Sequence, residues 1–257
     1  MPYHTIPLHI PVTPYKYLNQ TTLPHTTMTD FPLHKACMDN NLAAVQEILE
    51  ASADPAAEIV AKDQDNRSAL HWAVSFQHAE IVLYLLSHMK TVDLDSLVDD
   101  AGWTPVHVAA SVGNVEVLTL LCDREIKPDL DLQTKQGVTA LHLAVAKSLY
   151  GAVEYLLGQG ASVRIKDARG QLPIHRAAAI GSSKMVTLLC SKLSPVSAKD
   201  NDGWTPLFQA LAEGHGDIAV LLVNQYGADK DSEDKAGRTA ADVALNDEVK
   251  KYFLAHV

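Results

Sequence analysis

Asp99-Asp100-Ala101-Gly102-Trp103-Thr104-Pro105-Val106-His107-Val108-Ala109-Ala110 is the stretch on which the fold turns. Its centre, Thr-Pro-Val-His, recurs along the chain. It returns as Pro32-Leu33-His34, Ser68-Ala69-Leu70-His71, Thr139-Ala140-Leu141-His142, Leu172-Pro173-Ile174-His175, Thr205-Pro206-Leu207-Phe208 and Thr239-Ala240-Ala241-Asp242. The steps between equivalent fourth positions are 37, 36, 35, 33, 33 and 34 residues. A period of that size predicts stacked supersecondary units, each burying its apolar face only against its neighbours. The functional question therefore moves from catalysis towards binding.

Each part of the phrase has a mechanical reason. Gly102, Gly137, Gly170, Gly203 and Gly237 stand where a turn needs positive φ. The hydroxyls of Thr104, Thr139, Thr205 and Thr239 suit the cap of a first helix, and proline directly after the cap needs no N–H. Paired alanines let two helices approach closely. Gly113, Gly181 and Gly214 are placed to end that first helix. Apolar sets such as Ile81, Val82, Leu85 and Leu86, or Val153, Tyr155, Leu156 and Leu157, suit a second, buried one. Gly160 and Gly227 stop it with a left-handed cap.

The phrase and its spacing resemble the ankyrin repeat from about Asp30 to Val257. The fold class expected is an all-α repeat solenoid: seven stacked ankyrin repeats over residues 28–257, helix-turn-helix plus hairpin loops, with terminal repeats as caps and a concave groove. Residues 1–27 are different material, with Pro2, Pro7, Pro11, Pro14 and Pro24 interrupting any element. They are expected to form a disordered or loosely ordered extension, with a targeting or docking tail as the alternative, and Met28 is a candidate start.

Composition narrows the setting. The chain has 257 residues, 47% hydrophobic and 6% aromatic, enough for a substantial elongated core filled by Leu, Val and Ala. Cys37, Cys122 and Cys190 lie far apart in different repeats and read as reduced core thiols. A formal charge of −10 argues against nucleic acid as a partner, which would call for a basic stripe. No run of about 20 apolar residues and no secretory signal is present. Cytosol and nucleus are the expected compartments, and the free protein is expected to be a monomer.

Twelve histidines invite a metal or catalytic reading. Five of them, His34, His71, His107, His142 and His175, occupy the tetrapeptide, one per repeat, and so stand roughly 8 to 10 Å apart. Zinc needs ligands about 2 Å from one ion, so these imidazoles are expected to hydrogen-bond hairpin backbone instead. His215, between Gly214 and Gly216, reads as a loop residue. No phosphate-binding glycine loop, nucleophile elbow or evident pair of catalytic carboxylates is found. Catalytic residues, metal and cofactors are all expected to be none.

The informative positions are those the repeat leaves free. After the turn glycine, or Asn66 in its place, come Arg67, Trp103, Val138, Gln171, Trp204 and Arg238. Tryptophans on hairpin tips either await a covering partner or pack on the next hairpin, and Trp and Arg dominate interface energetics. At the end of the first helix, Phe76, Val112 and Ile180 make a broken apolar stripe, with Ser111 beside it and Lys147 within it. Directly after the histidine stand Trp72 and Arg176, an aromatic and a cation on or beside the same groove. Asp63, Asp65, Asp99 and Asp100 gather on the tips, either for a basic partner or as a solvated edge.

Among ankyrin proteins the chain resembles the gankyrin family, in its fungal form. The likeness is carried by Asp63-Gln64-Asp65-Asn66-Arg67-Ser68-Ala69-Leu70-His71-Trp72, by Gly160-Ala161-Ser162-Val163-Arg164-Ile165-Lys166-Asp167, by the stretch from Trp204 to Asp217, and by the closing Val249-Lys250-Lys251-Tyr252-Phe253-Leu254. The resemblance implies a non-catalytic assembly chaperone of the proteasome regulatory particle. Its groove would hold the C-terminal domain of one AAA ATPase subunit of the base and hinder premature docking on the core particle. It further implies that Arg67 and Lys147 pair with acidic side chains of the ATPase, that Trp72 and Trp103 pack on it, and that the aspartates meet its basic face. The Leu-x-Cys-x-Glu motif of the animal proteins is missing, so retinoblastoma-type binding is not expected. An ankyrin-type inhibitor or adaptor of a kinase or transcription factor is the alternative.

Overall fold

The structure, a computed structural model, describes residues 31–257. The expectations for residues 1–27 and Met28 lie outside the described residues. Six helix pairs follow one another. They are α1 (Pro32–Met38) with α2 (Leu42–Ala51), α4 (Ala69–Ser75) with α5 (Ala79–Ser87), α6 (Pro105–Val112) with α7 (Val115–Cys122), α8 (Ala140–Ala146) with α9 (Tyr150–Gly158), α10 (Pro173–Ala179) with α11 (Ser183–Ser191), and α12 (Pro206–Ala212) with α13 (Gly216–Asn224). Helices this short are marginal in isolation, so stacking must hold them. Each first helix packs on the first helix before and after it, and the buried Leu, Val, Ile and Ala form one continuous core along the stack.

Three short elements were not legible in the sequence, one of them the 3₁₀ turn Leu94–Ser96. The short helix α3 (Pro55–Val60) takes up the extra residues of the first step, with the Asp54 carboxylate accepting from Ala57 N and Pro55 at the first turn. The seventh repeat opens on a single 3₁₀ turn, Ala240–Val243, rather than an α-helix, before the final helix α14 (Asp247–His256). Leu245 N donates to Leu211 O and turns the chain onto the preceding repeat.

The histidines explain why each first helix starts where it does. His71, His107 and His142 Nδ1 accept from the backbone N–H of Ser68, Thr104 and Thr139 at 3.2, 3.2 and 3.3 Å. A backbone N–H can only donate, so Nδ1 carries the lone pair and Nε2 carries the proton. Nε2 then donates across to the next repeat: His34 to Arg67 O at 3.1 Å, His71 to Trp103 O at 3.1 Å, His107 to Leu132 O and His142 to Gln171 O at 3.0 Å. His175 does the same to Ala198 O and Trp204 O. Where Phe208 replaces histidine, the expected Thr205 cap fails and its buried hydroxyl has no hydrogen-bond partner.

Successive hairpins are also tied by backbone: Asp100 N to Asp65 O, Lys135 N to Ala101 O, Ala168 N to Gln136 O, Asn201 N to Arg169 O and Lys235 N to Asp202 O. That contact is why glycine occupies the turn. At Gly137, φ is +71° and a Cβ would stand 2.7 Å from Ala168 N, so a side chain there meets strain and a clash together.

Candidate partner-binding surface

Phe76, Val112, Lys147 and Ile180 each stand five residues after the fourth tetrapeptide position, at the end of α4, α6, α8 and α10. Stacking sets equivalent positions side by side, so the four form a row along one face. Phe76 is 37% exposed, its ring stacked between Trp72 at 6.3 Å and His78 at 6.0 Å. Val112, Lys147 and Ile180 are half-buried. Ser111 is buried and donates to Val108 O at 2.9 Å, so it serves the helix rather than the surface.

Lys147 is the chemically distinct member. Burial alone pushes its ammonium below the usual lysine range, and it makes no ion pair with any described carboxylate. A half-buried cation of this kind favours a carboxylate brought from outside.

The other positions left free by the repeat lie elsewhere than the sequence suggests. Trp72, expected on or beside the groove, is 3% exposed, and its Nε1 donates to Asp63 Oδ2 at 2.7 Å. Arg176, expected beside it, is 7% exposed and meets Asp167 Oδ2 at 2.5 Å. Gln209 occupies the same position in α12 and reaches Asp200 Oδ2 at 3.5 Å. In each case the partner is the acid nine residues earlier, at the head of the same repeat's hairpin.

Those acids are the residues the sequence reading missed as a set. The Oδ1 atoms of Asp63, Asp99, Asp167, Asp200 and Asp234 each accept two turn N–H groups, as Asp63 does from Asp65 N at 2.9 Å and Arg67 N at 2.8 Å. Their Oδ2 atoms remain for side chains. Arg67, buried, lies 3.6 Å from Asp99 Oδ2 and 5.1 Å from the centre of the Trp72 ring. Gln171 donates to Asp200 Oδ2 at 3.0 Å and Trp204 to Asp234 Oδ2 at 3.3 Å. The recurring aspartate at a fixed offset before each turn was the available signal.

Asp63 and Asp99 are thus turned into their own hairpins, while Asp100 is exposed and Asp65 half-buried. Burial, then the neighbouring Asp63 charge, raises the Asp65 carboxyl above its usual range. The tryptophans are half-buried rather than freely exposed: Trp103 lies against His107 at 6.4 Å, and Trp204 against Phe208 at 5.8 Å. Among the described residues no helix is long and apolar enough to cross a membrane.

A family model described as ankyrin repeats, in three copies, matches residues 16–96, 91–167 and 146–234. The probable 26S proteasome regulatory subunit p28 of Saccharomyces cerevisiae is 54% identical over 231 residues, covering 90% of this chain and 100% of that protein. The chain belongs to the p28, or gankyrin, family of ankyrin-repeat proteins.

Wider likeness is to the ankyrin fold at large. The crystal structure of the Bcl-3 ankyrin repeat domain, titled as a member of the IkappaB protein family, matches this gankyrin-family stack with a TM-score of 0.74 at 26% identity. The match covers 87% of this chain and 97% of that one. The mouse B-cell lymphoma 3 protein homolog is 30% identical over 159 residues, which are 61% of this chain and 35% of that protein.

Proposed function

We propose that this protein is a non-catalytic chaperone for assembly of the proteasome regulatory particle base. It holds the C-terminal domain of one AAA ATPase subunit along its concave surface and sterically hinders premature docking on the core particle. The observation that carries this reading is the 54% identity to p28 across that protein's whole length. Lys147 supplies the site: an acidic side chain of the partner relieves a cation that burial leaves uncompensated. Phe76, Val112 and Ile180 add apolar area on either side, and Asp65, Asp100, Trp103 and Trp204 line the adjoining hairpins.

Pull-down with isolated C-terminal domains of the base ATPases, tested one by one, checks the reading. Retention of one domain, weakening as salt rises, supports it. Retention of none, with a kinase or transcription factor recovered instead, replaces it with the inhibitor reading that the Bcl-3 likeness favours.

A further inference from the structure

The second helices open on a charge rule that one of them reverses. Glu80, Glu116 and Asp217, all exposed, hold the second position of α5, α7 and α13. An acid there meets the positive end of the helix dipole, which disfavours a cation. α11 places Lys184 at that position, and α9 places Gly151. Lys184 takes its hold from the preceding repeat instead, its Nζ standing 3.8 Å from the centre of the Tyr150 ring at the start of α9. The ring fixes the ammonium without neutralising it, and Lys184 makes no ion pair with any described carboxylate.

Lys147 shares this edge. It caps α8 three residues before Tyr150, so both lysines lie where first helices end and second helices begin. The sign of charge along the edge changes on either side of them. In the helix-start row Lys184 is preceded by Glu116 and followed by Asp217, and in the helix-end row Lys147 is followed two repeats on by Glu213. On a chain of formal charge −10, the fourth and fifth repeats thus carry a cationic step bounded by acids.

We propose that Lys147 and Lys184 form one acid-reading pair, which receives two carboxylates on one face of a partner helix and fixes its register along the groove. Neighbouring repeats lie about 8–10 Å apart and a helix rises about 1.5 Å per residue, so the two acids are expected about seven residues apart. An acidic segment shifted by one repeat meets Glu116 on one side or Glu213 and Asp217 on the other. Those like charges reject the neighbouring registers. The inference rests on the groove function proposed above and names the chemistry of its occupant.

Magnetic resonance titration of the full chain at low salt, with a synthetic alanine-based helix carrying two glutamates at that spacing, tests the pair without any ATPase. Amide shifts are expected at residues 147–151 and 180–184. Lys184→Glu should weaken the peptide roughly ten-fold, the effect of losing about one close charge pair, and Lys184→Arg should retain it. Lys184 is exposed and Lys184→Glu returns an acid to the start of α11, so the melting temperature should not fall. Shifts centred elsewhere, or equal peptide affinity in the Lys184→Glu protein, would overturn the pair. The ATPase domain retained in the pull-down should show the same loss, shrinking as salt rises. The expected peptide site with no ATPase domain retained supports the pair and removes the proposed occupant. A retained domain indifferent to Lys184→Glu sinks the pair and leaves the chaperone reading intact.

Discussion

The Trp72 indole donates to Asp63 Oδ2 at 2.7 Å, binding a helix residue to the acid that heads its own hairpin. Asp63 Oδ1 already holds the turn, so one carboxylate fixes both the hairpin and the helix behind it. Trp72→Phe keeps most of the packing and removes the donor. A loss of about 1–2 kcal/mol of stability in urea melts is expected, the cost of leaving a buried acceptor unpaired. Partner affinity should change little, which distinguishes this latch from a contact residue.

Arg176 and Asp167 make the corresponding pair in the fifth repeat, both buried. Removing one member of a buried ion pair leaves the other charge uncompensated. Arg176→Ala is expected to cost about 3 kcal/mol, read as a lowered denaturation midpoint. Arg176→Ala should therefore lower the folded fraction before it alters any binding constant.

Acid should unfold the stack through its imidazoles. Burial pushes His71, His107 and His142 down to about 4, and lowers His34 and His175 as well. The unfolded chain takes up protons near pH 6.5 while the folded chain does not until near pH 4. Stability is therefore complete above about pH 6.5 and falls progressively as pH drops towards 4. Urea midpoints at pH 7, 6 and 5 should decrease in that order, and a flat or rising series would contradict the neutral tautomer assignment.

Leu193 sits at φ +60° and is 76% exposed, a left-handed leucine with its side chain in water. Its carbonyl, which accepts from Arg164, is unaffected by the side chain. Leu193→Gly relieves a left-handed cost of about 1–2 kcal/mol against an entropy loss of about 0.5–1 kcal/mol. A net gain of about 0.5–1 kcal/mol is expected in thermal melts.

The scaffold was legible because its signal is repeated. Thr104 and His107 recur as Thr139 and His142, and the turn glycines recur with them, so register and helix starts follow from the pattern. The variable positions were less legible. Their freedom from the repeat says that packing within one repeat does not dictate them, and says nothing of where the side chain goes. Trp72, Arg67, Arg176 and Gln171 turn inward because the hairpin aspartates Asp63, Asp99, Asp167 and Asp200 offer Oδ2 to whichever donor lies near. That demand arises between elements distant along the chain, beyond any local period. The nine-residue offset of Asp63 to Trp72, Asp167 to Arg176 and Asp200 to Gln209 was visible, but its meaning needed the hairpin folded back on the helix. Lys147 differs because it stands four residues beyond the position that Trp72 and Arg176 hold, at the end of α8, where it is left half in solvent.

Titration calorimetry of the retained ATPase C-terminal domain against the wild-type protein and Lys147→Glu addresses the central claim, that an uncompensated groove cation receives a partner's acid. Lys147→Glu is expected to lose more than about 2 kcal/mol of binding, the scale of an interface hot spot, with an unchanged melting temperature. Unchanged affinity in a folded Lys147→Glu protein would contradict the account.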